Sequence, residues 1–307
     1  MAKFQIFTDS CSDLPKEERD FYHIDYCRMN VVIDGVEQIA DLDWEGFKPE
    51  EFYGWMSSGK RMKTTQVPIP EFVNRFTPYL EKGIDIIYIA CSSKCSGSIN
   101  MFELAKEQLL EKFPDRKLVG IDSLNACFGE GILTILAAIK QSEGATLEEV
   151  VEYTLGERNK MLQFATVDNL KYIKDAGRIK ASKAILGNLF HKKPVFISDA
   201  IGNNYTLGTV TGTKNADAEL LKGFMQRNEV EKFKIVFIGQ GMAQERAERL
   251  KEKILEAYED IDVRIRWIGP IIGTTCGPGV LAIFAYGKEV TCYDGDGKKP
   301  SLDYSQL

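Results

Sequence analysis

Short apolar runs of strand length alternate with longer stretches whose apolar residues recur every three or four positions. Phe4 to Thr8 reads as a strand and leads into the turn-rich Asp9-Ser10-Cys11-Ser12-Asp13. Ile84 to Ala90 is continuously apolar, the pattern of a strand buried on both faces. Ser98 to Phe113 places Phe102, Ala105, Leu109 and Phe113 on one helical face. Leu118 to Ile121 is a further strand, and Asn125 to Gln141 a further helix with Leu133, Leu136, Ala137 and Ile139 inward. This β-α-β-α order predicts a mostly parallel sheet with covering helices.

Near Gly144 the character changes. Leu147 to Met161 reads as a helix bridging to a second unit, and Gln163 to Val167 as a strand. Leu170 to Phe190 is helix-rich, interrupted at Gly177 and Gly187. Pro194 to Ser198 and Tyr205 to Val210 flank Ala200-Ile201-Gly202-Asn203-Asn204 as a hairpin. Then come a helix, a strand (Lys234 to Ile238), a helix (Ala243 to Tyr258) and a strand (Asp262 to Trp267). The division expected is an α/β domain over 1–155, a smaller α/β domain over 156–290 and a tail over 291–307.

Composition narrows the classes. The chain has 307 residues, 44% hydrophobic and 27% charged, as in an ordinary globular protein. The net charge of −6 argues against a nucleic-acid partner. Apolar runs such as Ile132 to Ile139 and Val280 to Tyr286 are too short to span a bilayer. The start runs straight into a strand pattern without a signal peptide. Seven cysteines, an odd number, read as free thiols in a reducing cytoplasm. Cys91 and Cys95 lack the partners of a zinc set, and no metal or cofactor is expected.

Familiar catalytic sets are missing. The histidines are His23 and His191, the latter beside Lys192 and Lys193, a solvated setting rather than a triad base. There is no nucleophile elbow and no Walker loop. Gly239-Gln240-Gly241 follows a strand but lacks the third glycine of a dinucleotide fingerprint. Asp41 and Asp43 lie close in sequence, with nothing to mark them as an acid/base pair.

Several hydroxyl-rich loops instead fall at strand ends, where open parallel sheets bind ligands. They are Thr8-Asp9-Ser10, Lys63 to Pro70, Cys91 to Ser98, Asp122-Ser123 and the glycine-rich Gly269 to Gly279. Ser96-Gly97-Ser98 opens a helix, where free N–H groups and the helix dipole favour an anion. Capping and turn chemistry would explain each loop without any ligand.

Five segments in order resemble the DegV family of bacterial fatty-acid-binding proteins, over about residues 3–288. Thr8-Asp9-Ser10 with Asp13-Leu14-Pro15 resembles T-D-S-x-x-D-L-P. Thr64-Thr65 with Pro68 and Pro70-Glu71-Phe72 is similar to a T-T-S-Q-P-S-P loop one residue shorter, with Gln66-Val67 replacing its S-Q pair. Ser92 to Gly97 resembles S-S-K-L-S-G, and Leu170 to Ser182, with Gly177-Arg178-Ile179, resembles a segment ending in G-G-R-I-S. Gly269 to Gly279 resembles G-P-V-I-G-x-H-x-G-P-G, with Thr275 where the family usually has histidine. Threonine can hydrogen-bond but cannot carry a positive charge.

The resemblance implies a two-domain α/β protein that buries one long-chain fatty acid; a monomer is the default for a carrier that must dock to another protein. It implies a carboxylate between the domains held by Thr65 and Ser96, with the Gly97 N–H and Thr275 as further partners. It also implies no catalysis by this chain: a separate ATP-dependent kinase would phosphorylate the carboxyl group, docking with help from Arg178. Phe102, Phe128, Ile132, Leu133, Ile135, Leu136 and Leu189 are candidates to line the acyl tunnel. The alternatives are an enzyme with Ser96 or Cys276 as nucleophile, and a binder of a small phosphorylated metabolite.

Overall fold

The computed structural model describes residues 4–180 and 192–292. Its chain divides into two compact units, 1–46 with 61–158 and 269–271, and 47–60 with 159–268 and 272–307.

In the first unit, β1 (Phe4–Asp9), α1 (Lys16–Phe21) and β2 (Asp25–Cys27) are followed by β3 (Met29–Ile33) and β4 (Val36–Ala40). The excursion α2 (Pro49–Ser57) belongs to the second unit. The chain continues through β5 (Met62–Thr64), α3 (Ile69–Leu80), β6 (Asp85–Ala90), α4 (Ser98–Lys112), β7 (Leu118–Asp122), α5 (Phe128–Ser142) and α6 (Leu147–Glu157). The parallel sheet runs β2-β1-β6-β7, and an antiparallel one runs β4-β3-β5.

Strand alternation sorts the helices onto the two faces of the parallel sheet. Phe7 pairs with Tyr88 in register, and both point into an aromatic cluster with Phe72 and Phe76 of α3 and Phe102 of α4. The next residue, Thr8, points the other way and donates to Glu130 of α5 at 2.7 Å. With helices on both faces, β6 is buried along nearly its whole length, as its unbroken apolar pattern predicts.

The second unit adds β8 (Met161–Thr166), α7 (Leu170–Ala176), β9 (Ile179–Lys180), β10 (Lys192–Ser198) and β11 (Asn204–Thr211). Then follow α8 (Thr213–Arg227), β12 (Ile235–Gly241), α9 (Gln244–Ala257), β13 (Asp262–Trp267), α10 (Pro270–Cys276) and β14 (Val280–Tyr286). Its mixed sheet runs β13-β12-β14-β8-β10-β11-β9, with the core built on Phe164, Phe224, Ile238 and Ile283.

Several expected boundaries move. The helix expected over 147–161 ends at Glu157, because Met161 already pairs with Tyr286 in β8. The helix expected from Asn125 starts at Phe128, because Leu124 and Cys127 have positive φ (57° and 53°). Gly239-Gln240-Gly241 is not a phosphate-binding turn: all three pair with β14 inside β12. The glycine-rich loop 269–279 contains α10, whose Pro270 suits a first helical position. The expectations on Ser182, Gly187, Leu189, His191 and most of the tail fall outside the described residues.

Among the described residues no helix is long and apolar enough to cross a membrane, and no group of three or more His, Cys, Asp or Glu could hold a metal ion. None of the seven cysteines, all among the described residues, is in a disulfide. Asp43 pairs with Arg19, a structural contact, and its N–H donates to Asp41 at 2.6 Å.

Candidate functional site

Three strand ends build the loop that carries Ser96. Asp9, the last residue of β1, is buried; its Oδ2 accepts from the Tyr88 hydroxyl at 2.7 Å and from the Cys91 N–H at 3.1 Å. The Ser92 N–H donates to the Asn125 carbonyl at 2.8 Å, and Asp122, ending β7, accepts from the Ser93 N–H at 3.1 Å. The turn then closes on itself, with the N–H groups of Cys95 and Ser96 donating to the Ser92 carbonyl at 2.9 and 3.0 Å. Ser96 and Gly97 are thereby fixed at the start of α4, where the first turn leaves N–H groups without intrahelical partners. Gly97 is the N-cap residue and has no side chain to satisfy them.

The Thr65 loop is held against this turn. Thr65 follows β5, and its N–H donates to the Asn30 carbonyl at 2.9 Å. Two residues on, the Val67 N–H donates to Ser98 Oγ at 3.1 Å, and Ser98 Oγ lies 2.9 Å from Ser96 Oγ. The Gln66 side chain lies over Gly97: a Cβ built there would fall 2.0 Å from Gln66 Oε1. The structure therefore brings together the loops of Thr65, Ser96 and Gly97, all half-buried. Among the described residues the Thr65 hydroxyl has only long contacts, 3.5 Å to the Asn30 carbonyl and 3.3 Å to the Gln66 carbonyl, so its proton is available to a better acceptor.

Thr275 and Arg178 belong to the second unit. Thr275 is half-buried in α10. Arg178 is exposed, just beyond Gly177, whose φ of 67° closes α7 in the left-handed conformation that glycine tolerates.

Beneath the Ser96 loop lies a feature that reading charges as surface residues does not reveal. Asp9, Asp13 and Glu130 are buried, and desolvation holds all three carboxyls above their ordinary range. Asp13 is pushed up to about 8, although the Cys127 thiol donates to its Oδ2 at 2.9 Å. Burial thus favours the protonated form of these acids, since an unpaired buried carboxylate would be costly.

The tunnel candidates divide between the faces of the sheet: Phe102 with α3 and α4, and Phe128, Ile132, Leu133, Ile135 and Leu136 on α5. Two hollows of about 650 and 530 Å³ border the amino ends of the strands, at Phe4, Asp85 and Leu118, and neither touches Thr65, Ser96 or Gly97.

The family model described as "Uncharacterised protein, DegV family" matches residues 3–288. The chain belongs to the DegV family. A DegV domain-containing protein of Clostridium perfringens is 35% identical over 287 residues, covering 94% of this chain and 98% of that one. Among solved structures, a fatty-acid-binding DegV family protein from Thermus thermophilus superposes with a TM-score of 0.82 at 26% identity, covering 93% of this chain and 100% of that one. A stearic-acid-binding protein from Eubacterium ventriosum shares the fold at 22% identity and a TM-score of 0.82, covering 93% and 98%.

In this DegV chain the motif residues divide by task. Asp9 and Ser10 are structural: Asp9 anchors the Ser96 loop, and Ser10 Oγ joins the Ala40 carbonyl (2.8 Å) to the Met29 N–H (3.0 Å). Sequence reasoning named Ser98 within the Ser-Gly-Ser helix opening and Gln66 within its loop, but not the contacts that join the two loops: Val67 N–H to Ser98 Oγ, and the Gln66 side chain over Gly97.

Proposed function

We propose that this DegV chain binds one long-chain fatty acid, with the carboxylate on Thr65, Ser96 and the Gly97 N–H. The observation that carries the reading is the Val67–Ser98–Ser96 chain of hydrogen bonds, which presents two loops of hydroxyl and N–H donors to one place. Its support from relatives is the fatty-acid-binding DegV family protein of Thermus thermophilus.

The energetics suit a lipid. Burying ~15 methylenes contributes roughly 12 kcal/mol gross, before the costs of association. The head group then has to be satisfied rather than to supply the affinity, and hydroxyls with helix N–H groups do that for a carboxylate. In this reading Thr275 is a further neutral partner, and the chain presents the carboxyl group to a separate kinase that docks through the exposed Arg178.

The double variant Thr65→Val, Ser96→Ala tests the head-group assignment. Hydrogen bonds to a charged group are worth about 1.5–3 kcal/mol each, so acid affinity is expected to fall by about a hundredfold or more. Thermal unfolding should stay near that of the parent. Unchanged acid binding in the folded variant would sink the assignment, and uptake of a phosphorylated small molecule instead of fatty acid would replace the reading.

A further inference from the structure

We infer that Ser98 makes Ser96 a dedicated hydrogen-bond donor, so that the site selects a head group that can only accept. The inference rests on the fatty-acid reading and names what sets its head-group specificity.

Ser98 is fully buried at the first position of α4. Its Oγ accepts the Val67 N–H at 3.1 Å and lies 2.9 Å from Ser96 Oγ, which also accepts the Ser98 N–H at 3.3 Å. Among the described residues neither hydroxyl has another hydrogen-bond partner. A hydroxyl carries one proton and two acceptor positions. If Ser96 donated to Ser98, the Ser98 oxygen would be filled and its own proton stranded in the interior without an acceptor, which is costly. If Ser98 donates to Ser96, the buried proton is used and the Ser96 oxygen accepts twice. The one unspent proton then sits on Ser96, the half-buried member of the pair, where a ligand can take it.

The difference in burial therefore sets the direction of the chain: Val67 N–H to Ser98, Ser98 O–H to Ser96, Ser96 O–H to the ligand. With both acceptor positions filled, Ser96 has nothing to offer a head group that must donate. An ionised carboxylate is acceptor-only and forms the stronger, charge-assisted bond. Ser98 is a positioning residue; it acts through Ser96.

The test is displacement of a bound fluorescent fatty acid by tetradecanoate and by tetradecanol, using the full chain. The readout is the ratio of the two affinities. Ser98→Thr keeps the hydroxyl and is expected to keep the parent ratio. Ser98→Ala is expected to lower the acid-over-alcohol ratio about tenfold, the loss of one oriented charge-assisted bond, while alcohol affinity stays within about threefold. Ser98→Cys, which preserves volume with a weak donor and acceptor, should lower it as well and serves if the alanine variant fails to fold. Ser96→Ala separates the two levels. If it keeps the parent ratio, the carboxylate reading itself falls. If it lowers the ratio while folded Ser98→Ala or Ser98→Cys keeps it, the reading stands and the role given to Ser98 is overturned.

Discussion

Asp13 lies buried beside Asp9 and Glu130, with the Cys127 thiol as a hydrogen-bond donor at 2.9 Å. Desolvation pushes its carboxyl up to about 8 in the folded protein. In the unfolded chain it returns to about 3.9. Between those values the native state keeps a proton that the unfolded state has lost, so folding stability falls as pH rises through this window. From pH 6 to pH 9 this one group removes roughly 2–3 kcal/mol, most of it below pH 8.5. Asp13→Asn keeps the shape and stays neutral at every pH, so it abolishes this part of the dependence. The assay is urea unfolding of parent and variant at pH 6, 7, 8 and 9, followed by tryptophan fluorescence. Titrating groups that do not face Asp13 act on both proteins alike, so the difference between the two curves reports Asp13 together with its coupling to Asp9 and Glu130. The variant is expected to gain on the parent steadily with pH, by about 2–3 kcal/mol over the range. Parallel curves across pH 6–9 would show that Asp13 is ionised in the folded state and would refute the reasoning.

Other substitutions probe the scaffold and the partner. Gly277→Ala should destabilise by about 2–4 kcal/mol, measured by urea unfolding, because φ is +75° and the new Cβ would fall 2.2 Å from the Tyr172 ring. Tyr53→Phe removes the donor to the buried Ile268 carbonyl (2.8 Å) and should cost about 1–2 kcal/mol in the same assay. Arg178→Ala changes an exposed side chain and should leave tetradecanoate affinity within about twofold while lowering acyl-phosphate formation by an added kinase; equal phosphorylation would remove Arg178 from the docking role.

The strongly patterned elements were legible in the sequence. β1, β6 and α4 announce themselves because burial on both faces, or a three-four apolar spacing, leaves no other arrangement. The three-stranded sheet did not, since β4 is exposed along four of its five residues and carries no period-two signal. The start of α5 was obscured by Cys127, whose positive φ no propensity anticipates. Of the site, the two loops could be read from their hydroxyls and glycine. Their joining could not, because it depends on a contact between Val67 and Ser98, 31 residues apart. The buried acids were hidden for a similar reason: sequence reading places charge at the surface, and Glu130 meets Thr8 across 122 residues.

The central claim is that this DegV chain carries a fatty acid. It is tested most directly by native mass spectrometry of the purified full chain, followed by organic extraction. The account predicts a stoichiometric adduct with the mass of a long-chain fatty acid, recovered in the extract. A chain that arrives empty and takes up no added fatty acid would contradict it.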